Sequence, residues 1–174
     1  EMFYHLCLDK SVYKVKFYPQ ALKNRLWAYF TNRQNKELSA KAIKQHYGLG
    51  NDLYRSMLGK YLAYSCGYWK NAQTLDQAQE HKFDLICRKL NLQPGQKILD
   101  IGCGWGGFMK YAAENYQVSC LGITLSEDQS GYGKTLCANL PIEIRLADYR
   151  ELDEEFDHIV SIGMFEHVGY KNYN

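Results

Sequence analysis

The sequence predicts an α/β fold with a doubly wound, mostly parallel sheet and an α-helical N-terminal extension. Predicted strands and helices alternate from residue 97 onward with short connections, a pattern typical of right-handed βαβ units. A glycine-rich turn follows the first of these strands, as it does in many ligand-binding α/β folds. Only four strands are predicted before residue 174, so we expect the sheet to be incomplete in this chain.

Residues 1–40 are predicted to be a basic helical leader. Residues 1–46 carry nine Lys and Arg against three Asp and Glu, a net charge of +6, so the remainder carries −4 of the total of +2. This asymmetry favours an anionic partner, either lipid headgroups or nucleic acid, but a solvated linker has the same composition. An amphipathic helix is predicted over residues 18–30, suited to a membrane interface or to docking on the core.

Residues 41–92 are predicted to form a helical cap segment. Ser39 is the predicted N-cap of a helix that ends near His46, and a short helix follows at residues 52–58. Residues 74–77 have the capping-box pattern and precede apolar positions at helical spacing. Pro94 and Gly95 end that helix and lead into the first strand.

Residues 93–174 are interpreted as the N-terminal half of the α/β domain. Strands are expected at 97–101, 118–123, 142–146 and 157–162, with helices at 107–115 and 126–138. Gly131 and Gly133 each cost the second helix roughly 1 kcal/mol relative to alanine, so we expect it to be irregular or short.

Composition excludes several classes of protein. No apolar run approaches the roughly 20 residues that a membrane-spanning helix needs, and the N-terminus lacks a signal-peptide core. The six cysteines form no C-x-x-C pair, and no histidine stands at metal-ligand spacing. We therefore expect a reducing, cytoplasmic setting without disulfides or a metal site.

The glycine-rich turn begins at Asp100, which ends the first strand. Gly102, Gly104 and Gly106 follow it as D-x-G-x-G-x-G, whereas dinucleotide-binding turns are spaced G-x-G-x-x-G. Glycines here allow a tight turn and the close approach of a ligand. The turn resembles the cofactor loop of the Rossmann-like class I S-adenosylmethionine-dependent methyltransferases. A tight turn without a ligand is the alternative.

Three further segments follow the other strands and are expected at the same edge of the sheet. Thr124 and Gln129 would supply polar contacts where many nucleotide sites have an acid, but residues 124–129 equally fit a helix N-cap. Asp148 and Tyr149 suit the amino group and ring face of adenine, although Tyr149 also fits packing alone. Glu166 would be costly to bury between apolar neighbours without a role or a partner.

Five stretches together resemble the cyclopropane-fatty-acyl-phospholipid synthase family, with the mycolic acid methyltransferases as relatives. They lie in order between Ala42 and Tyr173, at residues 46–54, 64–69, 99–107, 124–129 and 163–169. The resemblance implies transfer of the methyl group of S-adenosylmethionine to a cis double bond of a phospholipid acyl chain. Loss of a proton from the added methyl group then closes a cyclopropane ring.

The resemblance also implies roles for individual residues. Cys66 and Glu166 would help to hold a bicarbonate ion that acts as the base, and further contacts would come from beyond residue 174. The implied cofactor-binding residues are Tyr64, Ser65, Asp100, Gly102, Gly104, Trp105, Gly106, Thr124, Gln129, Asp148 and Tyr149. His167 is interpreted as a structural histidine. The implied partners are unsaturated phospholipid acyl chains at a membrane surface, with peripheral attachment and a homodimer as one possible assembly.

The chemistry agrees with these roles. An alkene is a weak neutral nucleophile, so the enzyme must orient it against the methyl donor. Carboxylates and aromatic faces such as Glu166, Tyr68 and Trp69 stabilise developing positive charge. Cys66 is not expected to be a nucleophile, because no neighbouring histidine or lysine in the sequence would lower its pKa.

Other functions are left open. One is a mycolate-type or small-molecule methyltransferase that closes no ring. Another is a nucleic-acid methyltransferase, which is disfavoured because no recognised nucleic-acid module is present. The last is an inactive fragment that binds only the cofactor, or nothing.

Overall fold

The computed structural model describes residues 51–168. The helices are α1 (Asn51–Leu58), α2 (Leu75–Lys89), α3 (Gly107–Tyr116) and α4 (Glu127–Leu136). The strands are β1 (Lys97–Ile101), β2 (Ser119–Thr124), β3 (Ile142–Leu146) and β4 (His158–Val160), and 3₁₀ helices span Tyr149–Glu151 and Phe165–His167. The predicted strands and helices of this range are confirmed. The predicted leader, its helix at 18–30 and the helix ending at His46 lie outside the described residues, and the three segment boundaries stay predictions.

The four strands form one parallel sheet in the order β3-β2-β1-β4. Asp100 at the end of β1 lies opposite Gly122 of β2 and Val160 of β4. The chain first adds β2 and β3 on one side of β1 and then returns to add β4 on the other side. The strand order therefore reverses between β1 and β4, and doubly wound sheets bind ligands outside the carboxyl ends of their strands at such a point.

Alternating side chains of the strands build two apolar layers. Ile98, Cys120 and Ile144 pack on one face together with side chains of α2 and α3. Leu99 and Leu121 point to the opposite face, where they meet partly buried apolar residues from the segment between β3 and β4. The central strands β1 and β2 are thus buried on both faces, as expected for a parallel sheet, whereas Leu146 of β3 and Ile159 of β4 are exposed.

Thr74 caps α2 as the sequence predicts. Its side chain accepts a hydrogen bond from Gln77 N at 3.3 Å. The return bond reaches one residue further back than in a standard capping box, because Gln77 Oε1 accepts from Gln73 N at 2.8 Å. Two backbone donors at the start of the helix are therefore satisfied.

Of the two expectations for α4, irregular or short, the first is wrong and the second is met in part. The helix runs unbroken from Glu127 to Leu136 through both glycines, although it ends two residues earlier than predicted. A Cβ on Gly133 would lie 2.7 Å from Ile144 Cδ1 and 3.0 Å from Trp105 O. The glycine lets the helix pack closely against β3 and the turn after β1, and this packing offsets its low helix propensity.

β4 is shorter than the predicted 157–162. Its ladder with β1 ends at the pair Asp100 and Val160. Beyond it, Ser161 Oγ rather than a backbone group donates to Ile101 O at 3.0 Å. The backbone ladder between β1 and β4 thus ends at Val160 and is followed by a side-chain hydrogen bond.

The described residues contain no helix long and apolar enough to cross a membrane. Within the same range, no cluster of His, Cys, Asp and Glu has the arrangement of a metal site. The five cysteines of this part of the chain are free thiols, and Cys66 alone among them is exposed.

Candidate active site

The ends of the four strands meet at one edge of the sheet. Gly102 N and Cys103 N both donate to Ile123 O, at 2.9 and 3.0 Å, which joins the turn after β1 to the end of β2. Ala147 N donates to Thr124 O at 3.2 Å, which brings in the end of β3. The segments predicted to share this edge are therefore brought together, with the turn after β1 at their centre.

The three glycines of that turn all have positive φ, at 78°, 57° and 88°, but they face different surroundings. A Cβ on Gly102 would lie 2.7 Å from Met164 Cβ in the segment after β4, and one on Gly106 would lie 2.8 Å from Cys137 Sγ. A Cβ on Gly104 would meet nothing within 4 Å. Gly102 and Gly106 make room for the protein itself, and Gly104 faces open space at the edge where a ligand would lie.

Asp100 is buried at the base of this turn, with only 2% of its surface exposed. Its Oδ1 has no hydrogen-bond partner within residues 51–168. Desolvation raises the pKa of its carboxyl group to about 7. An unsatisfied carboxylate oxygen at the carboxyl end of a central strand is suited to a donor supplied by a bound ligand.

Of the two interpretations of residues 124–129, the structure shows the helix N-cap, and it also shows Thr124 and Gln129 bonded to each other. Ser126 caps α4 by accepting from Gln129 N at 3.3 Å. Thr124 Oγ1 donates to Gln129 Oε1 at 2.8 Å, and both residues are buried. The helix N-cap is therefore confirmed, and contacts of Thr124 and Gln129 with a ligand stay a prediction.

The carboxylate after β3 is held by a neighbour that the sequence analysis did not consider. Arg150 donates to both oxygens of Asp148, at 2.6 and 2.8 Å, and its backbone N–H also donates to Oδ1 at 3.0 Å. The Arg150 guanidinium lies 5.5 Å from the centre of the Tyr149 ring. Asp148 is therefore oriented and charge-compensated before any ligand binds, which the D-x-R spacing could have indicated.

Aromatic rings connect the glycine turn to the segment that precedes α2. Trp105 packs against Tyr54 with ring centres 4.9 Å apart, and Tyr54 meets the edge of Tyr64 at 5.9 Å. Trp105 is buried among core residues, so its side chain has a packing role and only its backbone remains available to a ligand in the turn. Tyr64 is exposed.

Glu166 and His167 differ from expectation. Both side chains are exposed on the 3₁₀ helix after β4, as is that of the neighbouring Phe165. The expectation that Glu166 is buried between apolar neighbours is therefore wrong, and His167 does not pack as a structural histidine. Glu166 nevertheless belongs to the edge. A Cβ on Gly163 would lie 4.0 Å from Glu166 Oε1 and 3.8 Å from Ser65 Cβ, which relates this carboxylate to the Tyr64–Cys66 segment.

Cys66 has no lysine beside it in the sequence, but the fold brings Lys82 close to it. Lys82 on α2 donates from Nζ to Ser65 Oγ at 2.8 Å and interacts electrostatically with Cys66. Burial lowers the pKa of Lys82 to about 8, and Cys66 partly opposes that shift. The sequence did not point to Lys82, because a lysine among apolar residues at helical spacing is common in an ordinary amphipathic helix.

Comparison with known proteins assigns these features to a family. The family model described as mycolic acid cyclopropane synthetase matches residues 34–174. The chain belongs to this family. It is 51% identical over 143 residues to the cyclopropane-fatty-acyl-phospholipid synthase of Escherichia coli K12, which covers 82% of this chain and 37% of that protein. It is 42% identical over 137 residues to cyclopropane mycolic acid synthase 3 of Mycobacterium tuberculosis, covering 76% of this chain and 48% of that protein.

Solved structures of the family share the fold. The mycolic acid cyclopropane synthase CmaA1, complexed with SAH and CTAB, superposes with a TM-score of 0.73 at 42% identity, covering 77% of this chain and 49% of that one. The cyclopropane synthase MmaA2 from Mycobacterium tuberculosis gives 0.72 at 38% identity, covering 76% and 48%. The predicted Rossmann-like methyltransferase fold is confirmed. This chain spans between a third and a half of the length of these relatives.

Proposed function

We propose that the whole protein transfers the methyl group of S-adenosylmethionine to a cis double bond of a phospholipid acyl chain and forms a cyclopropane ring. The observation that carries this proposal is the 51% identity to the E. coli synthase, whose name states the phospholipid substrate. The arrangement of the strand ends around an open glycine turn supports it, because this is where doubly wound sheets bind their ligands.

The residues at the edge fit the cofactor. When bound, S-adenosylmethionine supplies an electrophilic methyl group carried by a cationic sulfonium. Asp100 has an unsatisfied carboxylate oxygen for a donor group, and Gly104 leaves space for the ligand to approach the backbone. The SAH in the CmaA1 complex supports the same assignment at the level of the family.

Roles for the remaining predicted residues form part of this proposal. Tyr64, Ser65, Thr124, Gln129, Asp148 and Tyr149 would bind and orient the cofactor, together with the backbone of residues 102–106. Cys66 and Glu166 would help to hold a bicarbonate ion as the base. The position of Ser65 near Gly163 and Glu166 supports a shared role for these two segments.

Two glycines provide a matched test of the cofactor site. Gly104 and Gly95 both have positive φ, and a Cβ on either would meet nothing within 4 Å, but Gly95 lies in the turn before β1 at the opposite edge. In the full-length protein, Gly104→Ala should weaken SAH binding at least tenfold by calorimetry, because its methyl group enters the space assigned to the ligand. Gly95→Ala carries a similar backbone penalty of roughly 1–2 kcal/mol and should keep affinity within about twofold. Equal affinities for the two variants would refute the assignment.

The reaction is tested by the lipid mass profile of cells that express the full-length gene. Cyclopropanation adds one methylene to an unsaturated chain and removes its double bond. The product should therefore appear at a mass higher by one methylene, and this mass should not change under conditions that hydrogenate alkenes. A mycolate-type methyltransferase is the second candidate, favoured by the 42% identity to cyclopropane mycolic acid synthase 3. It would leave ordinary phospholipid acyl chains unchanged and instead modify mycolic acid chains, whereas a methyltransferase that closes no ring would give branched or oxygenated products.

The cellular setting is also a proposal. A peripheral, cytoplasmic enzyme at the membrane surface suits an acyl-chain substrate, and the net charge of +6 in residues 1–46 suits attraction to anionic headgroups. A homodimer is the proposed assembly, to be checked by sedimentation of the full-length protein.

A further inference from the structure

The segment formed by residues 63–69, here called the cover segment, lies beside the proposed cofactor cleft. At one point Tyr64 contacts Tyr54, which packs on Trp105 of the glycine turn. At another, Ser65 Cβ lies 3.8 Å from where Gly163 would carry a Cβ, in the turn after β4. The cover segment therefore adjoins both the β1 and the β4 side of the cleft, although it has no regular secondary structure of its own.

Its conformation is imposed by α2. Gln79 Nε2 donates to Ser65 O at 2.9 Å and to Ala63 O at 3.4 Å, and Tyr68 N donates to Ala78 O at 2.8 Å. A Cβ on Gly67 would lie 2.8 Å from Ala78 Cβ, so the segment is packed closely on the helix. These contacts all fix the backbone.

Lys82 is different because it holds a side chain of the segment. It lies one turn along α2 from Gln79, and its ammonium donates to Ser65 Oγ at 2.8 Å. The same ammonium stands 4.8 Å from the centre of the Phe83 ring and is half-buried. Removing an ammonium from water costs free energy, and a long lysine chain can usually reach solvent instead. In this structure the Lys82 ammonium instead donates to the neutral hydroxyl group of Ser65.

We propose that Lys82 is a positioning residue that acts through Ser65 Oγ to hold Tyr64, Ser65 and Cys66 in the conformation that binds the cofactor and the reacting groups. The proposal rests on the proposed function, because it takes the cover segment to be part of the active site. A hydrogen bond from a charged donor is stronger than one between neutral groups, so a single lysine can fix the rotamer of Ser65.

A double-mutant cycle in the full-length protein tests it. Lys82→Met, Ser65→Ala and the double variant are compared for SAH affinity by calorimetry, and for kcat and KM on vesicles of a monounsaturated phospholipid. Each single variant should weaken SAH about tenfold, and the double variant should be no weaker than Ser65→Ala alone, since Lys82 is proposed to act only through Ser65 Oγ. Lys89→Met makes the same substitution at an exposed position of α2 and should leave affinity within twofold.

The cycle distinguishes positioning from general stability. A thermal midpoint that stays constant while SAH affinity falls supports the proposal, whereas losses that multiply to about a hundredfold in the double variant overturn it. Unchanged affinity in Lys82→Met also overturns it. If Lys82→Met does not fold, Lys82→Arg replaces it. This variant should lower SAH affinity about threefold, and the loss must disappear in the Ser65→Ala background. An equal loss of affinity in both backgrounds, or no loss in either, refutes the proposal. Failure of the unaltered protein to bind SAH would instead refute the proposed function.

Discussion

Asp100 combines two properties that single residues of a core rarely have together. It is fully buried, and its Oδ1 has no partner within the described part of the chain. Burial without compensation favours the neutral acid, which is why the pKa of its carboxyl group is about 7. A carboxyl group that is near its midpoint at neutral pH responds to small changes in its surroundings, including a ligand that donates a hydrogen bond to the carboxylate.

Asp100 should make the free protein less stable as the pH rises. The unfolded chain loses this proton near pH 3.8 and the folded chain near pH 7, so between these values the folded state holds more protons. The contribution of Asp100 to the free energy of unfolding should therefore be highest below pH 3.8 and decrease up to about pH 7. The decrease is about 1.4 kcal/mol per pH unit and reaches about 4 kcal/mol in total.

Chemical denaturation of Asp100→Asn at pH 5 and pH 8 checks this sign. Asp100→Asn should be more stable than the unaltered protein at pH 8, because asparagine cannot ionise. The difference in stability should be smaller at pH 5. Asp153→Asn removes a carboxylate at an exposed position and serves as the control. The same pH slope in Asp100→Asn and in the unaltered protein would contradict the assignment.

At the scale of elements, α2 and α4 show how the packing of a helix can shape a site. α2 contributes Lys82 and Gln79 to the cover segment, and the Ser126 cap of α4 fixes the backbone after β2. Gly133 allows α4 to approach the carbonyl of Trp105 in the glycine turn. The shape of the turn therefore depends on the packing of α4, the helix that also carries Gln129.

Gly131 and Gly133 should respond in opposite ways to alanine. Gly131→Ala places its methyl group in open space and should stabilise the protein by about 0.5–1 kcal/mol, through higher helix propensity. Gly133→Ala forces a methyl group against Ile144 and the backbone of Trp105 and should destabilise it by about 1–3 kcal/mol. Urea unfolding of the two variants measures both values, and equal shifts would mean that α4 does not pack on the turn as described.

At the scale of the whole molecule, charge is unevenly divided along the chain. Residues 1–46 carry +6 and the rest −4. Membrane attachment by such a leader would be electrostatic, and attraction between exposed charges is screened by salt. The charge asymmetry agrees with the proposed acyl-chain substrate, because attraction to anionic headgroups would bring the active site close to lipid.

Binding to anionic vesicles should weaken when basic residues of the leader are neutralised. Each basic side chain near an anionic surface contributes about 1 kcal/mol, so Lys23→Gln with Arg25→Gln should lower the partition coefficient roughly tenfold or more at low salt. Co-sedimentation with vesicles measures this, and binding should also fall as salt is added. Lys89→Gln with Lys134→Gln removes the same charge from α2 and α4 and should have little effect. Equal loss in both pairs would remove the special role of the leader.

The sequence predicts the order of the strands and helices along the chain, because hydrophobic periodicity, caps and glycines act over a few neighbouring residues. It also determined the family, since the D-x-G-x-G-x-G turn and the accompanying segments occur in order at matching spacing. Tertiary structure alone decided which glycine of the turn faces open space, because that depends on Met164 and Cys137 from distant parts of the chain. It also decided that Lys82 meets Ser65, that Trp105 is buried and that Glu166 is exposed. These outcomes depend on which surfaces the fold brings together, and local periodicity carries no information about contacts between distant residues.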